Sequence, residues 1–365
     1  MKFTVKKAQL LPLLTRVNNI IEKKSTQKIR THILINATQG QLELVGFDHE
    51  MKISATVEAN VEVSGSTTVT SHKLFDVIRL LDNEADIIFT LDANILNIVS
   101  DHSQFHLATI AVDEYPLPDA YHFDEQLQIP APMLVALFYR VKFSMAVNDV
   151  RHYLNGLLLH FTEENLIAVS TDGHRLSIAE AYNPSDIVDK KVILPRKTVQ
   201  EVSLWLDDKD GAVTINLSAT HIQFVHGAVE MTSTLINADY PAYETVIPEV
   251  TETLMIIPKE PLKQALNRAK ILTSEYGMGV SLMFSSWQLN LSTKNMDNES
   301  TEESLDINYE GNNIKTAFNI NYLLNIIDVI DNENLTFSLQ DSHSSCLIYD
   351  ADKKNARYIV MPMNI

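Results

Sequence analysis

Residues 8–17 have the sequence AQLLPLLTRV, and the chain contains two further segments with the same pattern. These are PMLVALFYRV at 132–141 and EPLKQALNRA at 260–269, which follow at spacings of 124 and 128 residues. In each segment, apolar side chains recur at the spacing of one helix face, and an arginine follows the first aligned leucine by six positions. Three such segments at nearly constant spacing predict a threefold internal repeat.

A second helical pattern recurs with the first. It reads SHKLFDVIRLL at 71–81, PRKTVQEVSLWL at 195–206 and NINYLLNIIDVI at 319–330. Short segments of alternating polarity, such as QLELVGF at 41–47, separate these helices and predict strands. Each third therefore reads helix, strands, helix, strands, and loops that contain proline separate the thirds. The sequence predicts an α+β fold of three repeated domains at 1–122, 123–250 and 251–365.

The charge of the chain is distributed unevenly. The 365 residues include 29 basic and 47 acidic side chains, a formal net charge of -18, which alone would argue against a nucleic-acid partner. The predicted helices and their flanks nevertheless hold 18 basic and 7 acidic residues, a net charge of +11, and the remainder carries -29. These segments are 6–30, 71–81, 132–155, 195–206, 258–272 and 319–331. The distribution predicts one basic helical surface on an acidic body of strands and loops.

The size of the repeat restricts how copies can assemble. A domain of about 122 residues has a radius of gyration of about 14 Å and a diameter of about 35 Å when treated as a solid sphere. Three touching spheres of that size leave a hole of about 5 Å, four leave about 14 Å, and six leave about 35 Å. Only six admit a DNA duplex. Two copies of a three-domain chain supply six, so a homodimeric ring is expected.

Composition and missing motifs exclude several classes of protein. The single cysteine, Cys346, cannot form a disulfide within the chain, which favours a reducing, cytoplasmic compartment and a small buried side chain. The first residues lack an apolar signal segment, and no run of 18 apolar residues occurs, so neither secretion nor a membrane span is expected. The sequence has no glycine-rich phosphate loop, dinucleotide fingerprint or H-E-x-x-H motif. We therefore expect no bound cofactor, ATP or metal.

The segment STDGHRLS at 170–177 admits more than one interpretation. Ser170, Asp172 and His174 are the residue types of a hydrolase triad, although their close spacing in one segment argues against that geometry. The Asp-Gly pair is also typical of a polar turn between strands. A three-domain hydrolase that uses Asp172 and His174 therefore remains an alternative function, and a β-rich adaptor that never touches DNA is another.

Over its whole length the chain resembles the bacterial DNA polymerase III beta subunit family, the beta sliding clamps. The resemblance rests on five segments, namely MKFTV at 1–5, NDVRHYLNG at 148–156, STDGHRLS at 170–177, LPRK at 194–197 and VMPM at 360–363. It implies a head-to-tail homodimeric ring of six like domains, with the helices lining the hole and antiparallel sheets outside. It also implies a processivity factor that encircles duplex DNA, an accessory subunit and not an enzyme.

The resemblance further implies a cleft that captures short peptides from the replicative polymerase, the clamp loader, repair polymerases and mismatch-repair proteins. Its expected residues are Leu154, Thr171, Gly173, His174, Arg175, Leu176, Pro241, Val246, Tyr322, His343, Ser345, Val360, Met361, Pro362 and Met363. We expect the apolar members to form a trough, with His174, Arg175, Tyr322 and Ser345 as polar anchors at its rim. Thr245 and Asn364 stand where arginines are expected, and His343 replaces an aliphatic residue, so partner preference is expected to differ.

Two further sets of residues follow from the resemblance. Sequence-independent phosphate contacts are expected from Lys24, Arg79, Arg151, Tyr153, Arg196 and Lys197. Closure of the ring is expected to join the first domain of one chain to the last domain of the other through Lys73, Phe105, Leu107, Ile271, Leu272, Glu299, Glu302 and Glu303. In this junction the four apolar side chains are expected to dominate, and the glutamates are expected to pair with Lys73.

Overall fold

The computed structural model describes residues 1–118, 120–207, 209–273, 278–350 and 355–363, which form six α-helices and 25 strands. Every predicted helical segment forms a helix, and the predicted ends differ from the observed ends by at most three residues. The helices are α1 Lys7–Ile20, α2 Ser71–Leu80, α3 Ala131–Val141, α4 Arg196–Leu206, α5 Lys259–Lys270 and α6 Ile320–Val329.

The strands are short, and they pair antiparallel throughout the described residues. In the first part of the chain they are β1 Lys2–Lys6, β2 His32–Thr38, β3 Gln41–Phe47, β4 Met51–Glu58, β5 Asn60–Val63, β6 Gly65–Thr70, β7 Asp86–Asp92, β8 Ile95–Ser100, β9 Ser103–Ile110 and β10 Glu125–Pro130. The next seven are β11 Gly156–Phe161, β12 Asn165–Thr171, β13 Arg175–Tyr182, β14 Lys190–Pro195, β15 Ala212–Leu217, β16 His221–His226 and β17 Val229–Thr234. The last eight are β18 Met255–Pro258, β19 Gly279–Ser285, β20 Gln288–Lys294, β21 Ser300–Asp306, β22 Ile314–Asn319, β23 Asn334–Ser338, β24 Cys346–Tyr349 and β25 Ala356–Val360.

The threefold repeat is visible in one main-chain hydrogen bond that occurs three times. The first residue of α1, α3 and α5 donates its N–H to a carbonyl that follows the second helix of the same third. The N···O distances are 3.0 Å for Lys7 to Ala85, 2.9 Å for Ala131 to Gly211 and 2.8 Å for Lys259 to Glu333. The same local arrangement is therefore built from three different sequences.

The side chains at these positions are not equivalent. Lys7 is buried, and its Nζ donates to the Arg79 carbonyl at 2.9 Å and the Leu81 carbonyl at 2.5 Å, at the C-terminal end of α2. Lys259 Nζ donates in the same way to the Ile330 carbonyl after α6. These lysines satisfy carbonyl groups that have no partner within the helix. The middle third has Ala131 at this position.

The chain divides into two compact units. The first comprises residues 1–132 and 200–235 and contains a 13-stranded sheet in the order β10-β15-β16-β17-β4-β3-β2-β6-β9-β8-β7-β1-β5. The apolar face of α1 is buried through Leu10, Leu14 and Val17. A Cβ added to Gly46 in β3 would lie 2.8 Å from Val17 Cγ1, so this glycine permits the close approach of the strand to the helix.

The second unit comprises residues 133–199 and 236–365. It contains an eight-stranded sheet in the order β14-β11-β12-β13-β25-β24-β23-β18 and a four-stranded sheet in the order β21-β20-β19-β22. Leu262 and Leu266 of α5 are buried, as are Leu323 and Ile327 of α6. Cys346 in β24 is completely buried, as the sequence predicted. None of the described helices is both long and apolar enough to cross a membrane.

Strand pairing joins distant parts of the sequence within each unit. In the first unit β4 pairs with β17, so that Met51 lies opposite Ser233. In the second unit β13 pairs with β25, so that Arg175 lies opposite Val360. Both pairings connect strands from different thirds of the chain, and neither was predicted. The β13–β25 pairing brings the segment STDGHRLS to the C-terminal segment.

Candidate peptide-binding site

A small apolar pocket lies in the second unit, beside the turn between β12 and β13. Its volume is about 190 Å³. Ten predicted cleft residues line it, namely Leu154, Thr171, Gly173, His174, Arg175, Leu176, Pro241, Val246, Ser345 and Met361. The lining also includes Arg151, Tyr153, Tyr240, Ala242, Tyr243 and Ile359. The pocket thus gathers side chains from segments that are up to about 200 residues apart in the sequence.

The C-terminal segment is held against the turn by main-chain hydrogen bonds. The N–H of Met361 donates to the His174 carbonyl at 2.9 Å and continues the β13–β25 ladder by one step. The N–H of Met363 donates to the Ala317 carbonyl at 2.7 Å. Because both ends of this segment are fixed, the flexible Met361 side chain projects from a well-defined backbone.

Asp172 organises the turn itself. Its carboxylate accepts hydrogen bonds from the N–H groups of His174 at 3.0 Å and Arg175 at 3.1 Å, and from Arg175 Nε at 2.9 Å. Gly173 has a φ of 90°, a left-handed conformation that favours glycine. The Asp-Gly pair therefore forms the polar turn that was one of the two interpretations of this segment.

The hydrolase interpretation fails on the same geometry. Ser170 is completely buried, and its hydroxyl donates to the Val141 carbonyl. The carboxylate of Asp172 binds Arg175 and backbone N–H groups, so it does not orient a histidine. Among the described residues, no group of His, Cys, Asp and Glu side chains is arranged to hold a metal ion.

Arg175 requires a correction, because it supports the pocket from within and is not a rim anchor. Its side chain is only 10% exposed and pairs with Asp172. Its guanidinium donates to Asn325 Oδ1 at 2.8 Å and to the Phe143 carbonyl at 2.6 Å. Burial lowers the pKa of Arg175, and the charge of Asp172 opposes this change. The arginine therefore connects the turn to α6 and to the segment after α3.

Tyr322, another predicted rim anchor, contacts the guanidinium of Arg175 with its ring and is not among the residues that line the pocket. Val360 is also absent from the lining, because its side chain is completely buried. Three other predicted residues, His343, Pro362 and Met363, line a separate polar trough that adjoins the pocket. Asn364 lies outside the described residues, and Thr245 is exposed at the edge of the pocket wall.

An aromatic wall completes the pocket, and sequence reasoning missed most of it. The rings of Tyr153 and Tyr240 meet edge to face, with 6.1 Å between their centroids. Tyr243 is buried, and its hydroxyl lies 2.9 Å from His160 Nδ1. Burial raises the pKa of Tyr240 and of Tyr243. The two tyrosines that flank Pro241 and Ala242 were the available signal.

Four of the six residues predicted to contact DNA belong to the second unit. Arg151 binds the Asp149 carboxylate with Nε and Nη2, each at 3.0 Å, and its Nη2 lies beside Gly173 at the pocket. Tyr153 lies in the aromatic wall. Arg196 donates to the Met145 carbonyl at 2.8 Å, and Lys197 is half-buried in the first turn of α4. Arg151 and Tyr153 thus lie at the peptide pocket.

The remaining two belong to the first unit. Lys24 is exposed in the connector after α1. Arg79 is exposed in the last turn of α2, where it pairs with Asp76 at 3.2 Å and lies over the Phe75 ring.

The arginines that recur in the repeated helices have different surroundings. Arg140 lies 3.7 Å from Asp331, and Arg268 binds Glu303 with two hydrogen bonds. The predicted basic edge of the helices is therefore partly neutralised.

The predicted junction residues lie on or near two open sheet edges and on two helices or their ends. In the first unit, Phe105 and Leu107 are half-buried on β9, which pairs with β8 along its length and meets β6 only at Thr109 and Ile110. Within the part of the chain that the structure describes, the other edge of residues 103–108 is unpaired. Lys73 is exposed on α2.

In the second unit, β21 forms the edge of the four-stranded sheet. Ile271 is 78% exposed just after α5, and Leu272 is half-buried. Glu299 and Glu302 are exposed. Within the single chain Glu303 pairs with Arg268, at 2.6 and 2.8 Å. The pairing with Lys73 was predicted across the junction between two chains.

Family models of the DNA polymerase III beta subunit match the chain in three successive parts. The N-terminal domain model matches residues 1–119, the central domain model matches 128–242, and the C-terminal domain model matches 244–364. Together they account for most of the sequence.

Individual relatives match over the full length. The beta sliding clamps of Escherichia coli strain K12 and Pseudomonas putida are 34% and 33% identical, over 366 and 367 aligned residues, with complete coverage of both chains. The crystal structure of the DNA polymerase III subunit beta from Pseudomonas aeruginosa superposes with a TM-score of 0.96 at 32% identity, again with complete coverage of both chains. On these grounds, the chain belongs to the DNA polymerase III beta subunit family, the beta sliding clamps.

Proposed function

We propose that this protein is a DNA polymerase processivity factor, a homodimeric clamp that encircles duplex DNA and tethers the replicative polymerase through the pocket at residues 171–176. The observation that carries the proposal is this apolar pocket, closed by the C-terminal segment, in a chain of this family. A pocket of about 190 Å³ is large enough for one or two apolar side chains of a short peptide.

The partners of the pocket are short, flexible segments with leucine or phenylalanine side chains. They belong to the replicative polymerase, the clamp loader, repair polymerases and mismatch-repair proteins. Leu154, Leu176 and Val246 provide the apolar contacts, and Met361 can adopt different rotamers for different peptides. The Ser345 hydroxyl lines the pocket and can help to fix the orientation of the peptide.

Two copies of the chain close into a ring through the open edges of β9 and β21. An unpaired edge strand readily accepts a second strand, and β9 and β21 offer such edges in the first and the second unit. Phe105 and Leu107 on one copy then bury Ile271 and Leu272 of the other. Lys73 faces the acidic segment that contains Glu299 and Glu302. The domains of the ring are 1–122, 123–250 and 251–365 of each chain.

Contact with DNA is electrostatic and independent of base sequence, as sliding requires. Lys24, Arg79, Arg196 and Lys197 neutralise phosphates, and Arg151 and Tyr153 lie where the duplex and the peptide pocket adjoin. Each phosphate neutralised contributes a slope of about -0.9 in the plot of log affinity against log salt concentration. The protein has no catalytic activity of its own, takes no cofactor and works in the cytoplasm, where a separate loader opens the ring.

The topology of the DNA provides the decisive experiment. The protein is loaded onto a nicked circular plasmid by the clamp loader of the same organism, and the complex is washed with high salt. We expect retention on the circle and release after the plasmid is cut once, because a linked ring can leave only at a free end. Equal loss from circular and linear DNA would contradict the proposal and favour an adaptor that binds DNA weakly or not at all.

A further inference from the structure

The open edge of β9 has two different faces. In the register with β8, Phe105 lies opposite Ile98 and Leu107 lies opposite Leu96, and both of these β8 side chains are completely buried. Phe105 and Leu107 therefore extend the buried face of the sheet to its edge. His106 lies between them and belongs to the other face, where it is exposed. The edge thus carries an apolar row on its inner face and a histidine on its outer face.

The open edge of β21 in the second unit also has two different faces. Glu303 and Leu305 lie opposite two completely buried leucines of β20 and therefore belong to the inner face. On the outer face, exposed hydroxyls and carboxylates alternate in the order Ser300, Glu302, Ser304 and Asp306. Glu299 precedes the strand and is also exposed. The outer face of this edge is therefore acidic.

Joining the two edges places the histidine beside the acidic face. When β9 of one copy continues the sheet of the other copy, inner faces align with inner faces, because side chains alternate with a period of two. His106 then shares the outer face with Glu302. The Cβ atoms of residues directly opposite are about 5 Å apart, and those of diagonal neighbours are about 7 Å apart. Since a carboxylate occupies every second outer position of β21, His106 has one opposite or diagonal to it in any register that pairs it with this strand.

The hydrogen bonding of His106 leaves one ring nitrogen for a charge partner. Its Nδ1 lies 2.5 Å from Asn97 Oδ1 on β8, and because that oxygen is an acceptor, Nδ1 carries a proton and donates it. Within the part of the chain that the structure describes, Nε2 has no hydrogen-bond partner. A second proton is therefore added at Nε2, which can then donate to a carboxylate of another chain.

The charged groups around this edge are of both signs. In the same chain, Asp92 lies at the end of β7 on the same face, and Asp101 and His102 form the turn before β9. In the second copy, Lys294 lies opposite Ser300 at one end of β21. The acidic neighbours in the same chain are present with or without a partner. Only the carboxylates at the edge of β21 are added when the dimer forms.

We propose that the ring closes more tightly when His106 is protonated, because its imidazolium then faces Glu302 and the neighbouring carboxylates of the second copy. The inference rests on the proposed function, since the junction of β9 and β21 brings the two strands together. An ion pair that exists only in the dimer makes dimerisation take up a proton. Histidines change their charge between about pH 5 and pH 8, where carboxylates ordinarily remain ionised. The dimer should therefore tighten as the pH falls from about 8 to about 6.

The test measures the dimer dissociation constant of the full-length protein by sedimentation velocity at a series of concentrations, at about pH 8 and at about pH 6. We expect the constant of the unmodified protein to fall about two- to fivefold at the lower pH, the range of exposed ion pairs. The variant His106→Gln can still bind Asn97 but cannot titrate, so it should lose most of this response. Glu299→Gln combined with Glu302→Gln should also lose most of it, because the acidic face is then largely neutral.

His122→Gln is the matched control, because His122 is exposed in the connector between β9 and β10 and does not lie on an open sheet edge. It should keep the full response of the unmodified protein. An unmodified protein whose dimer does not respond to pH, or a response that persists in His106→Gln or in the double glutamine variant, would overturn the inference. A protein that forms no dimer at either pH would instead contradict the proposed function.

Discussion

The guanidinium carbon of Arg175 lies 4.2 Å from the centre of the Tyr322 ring and 5.3 Å from the centre of the Phe143 ring. A planar guanidinium that contacts two aromatic rings and pairs with Asp172 makes this arginine a central element of the pocket. Its partners belong to the turn, to α6 and to the segment after α3. Loss of the side chain therefore affects both stability and the shape of the pocket.

We expect Arg175→Ala to lower the free energy of unfolding by about 3 kcal/mol, because the substitution leaves the Asp172 carboxylate largely buried without its partner. Arg175→Lys should recover only part of this loss, since a lysine has no planar guanidinium and carries its N–H groups on a single nitrogen, whereas Arg175 donates from three separate nitrogens. Denaturant unfolding and peptide anisotropy measure the two effects. The control is Arg268→Ala, which breaks an exposed pair. If both variants were equally stable, Arg175 would have no supporting role.

The repeat and its helices could be predicted because their signals are local. The apolar face of α1 is encoded by Leu10, Leu14 and Val17, which lie within two turns of helix. The same pattern recurs 124 residues later. Alternating polarity likewise indicated β3. Where the polarity of neighbouring residues determines the element, the sequence is sufficient.

The details of the pocket could not be predicted, because they depend on contacts between distant residues. Arg175 binds Asn325, which is 150 residues away, and nothing near Arg175 in the sequence indicates this partner. The burial of Val360 follows from its place between β13 and β24, and strand order cannot be derived from alternation alone. Tyr240 and Tyr243 join the wall for the same reason.

Gly173 should be intolerant of even a methyl group. Its φ of 90° strains any other residue, and an added Cβ would lie 3.0 Å from Arg151 Nη2. Gly173→Ala should therefore displace Arg151 at the pocket and weaken peptide binding by about threefold or more, as measured by anisotropy.

Gly227→Ala is the matched control for this substitution. Gly227 also has a positive φ, of 58°, but an added Cβ would meet no atom within 4 Å. We expect the Gly227→Ala variant to lose some stability and to keep the peptide affinity of the unmodified protein. Equal affinities for both variants would show that the contact with Arg151 does not matter for the pocket.

His32 should make stability depend on pH. It is buried between the hydroxyls of Thr68 at 3.1 Å and Thr70 at 3.2 Å, and desolvation lowers its pKa below the ordinary 6.5, with a smaller effect of Lys73 in the same direction. As the pH falls through about 6.5, the unfolded chain takes up a proton that the folded protein does not. The free energy of unfolding therefore falls towards acid, by at most about 1.4 kcal/mol per pH unit from this group.

Chemical denaturation between pH 5 and 7.5 measures this dependence. His32→Gln keeps a hydrogen-bonding side chain but cannot titrate, so its plot of stability against pH should be shallower. The control is His102→Gln at an exposed position, for which the slope should match that of the unmodified protein. A slope unchanged by His32→Gln would refute the assignment.

The dimer junction can be tested at Ile271, which is 78% exposed in the single chain. If this side chain is buried against Phe105 and Leu107 of a second copy, Ile271→Glu places a charge in an apolar contact. We expect the dimer dissociation constant to rise at least about tenfold in sedimentation velocity at a series of concentrations. Trp287→Glu, at another exposed apolar side chain of the same unit, should leave the dimer unchanged. Equal effects of the two substitutions would place the junction elsewhere.

The complete burial of Cys346 in β24 has a practical consequence for labelling. A maleimide reagent reacts with the thiolate, and burial raises the pKa of this thiol, so the folded protein should resist modification. A cysteine introduced at an exposed position would then take up a fluorophore selectively, without removal of the native residue. The rate at which Cys346 itself is slowly modified would report how often the eight-stranded sheet opens.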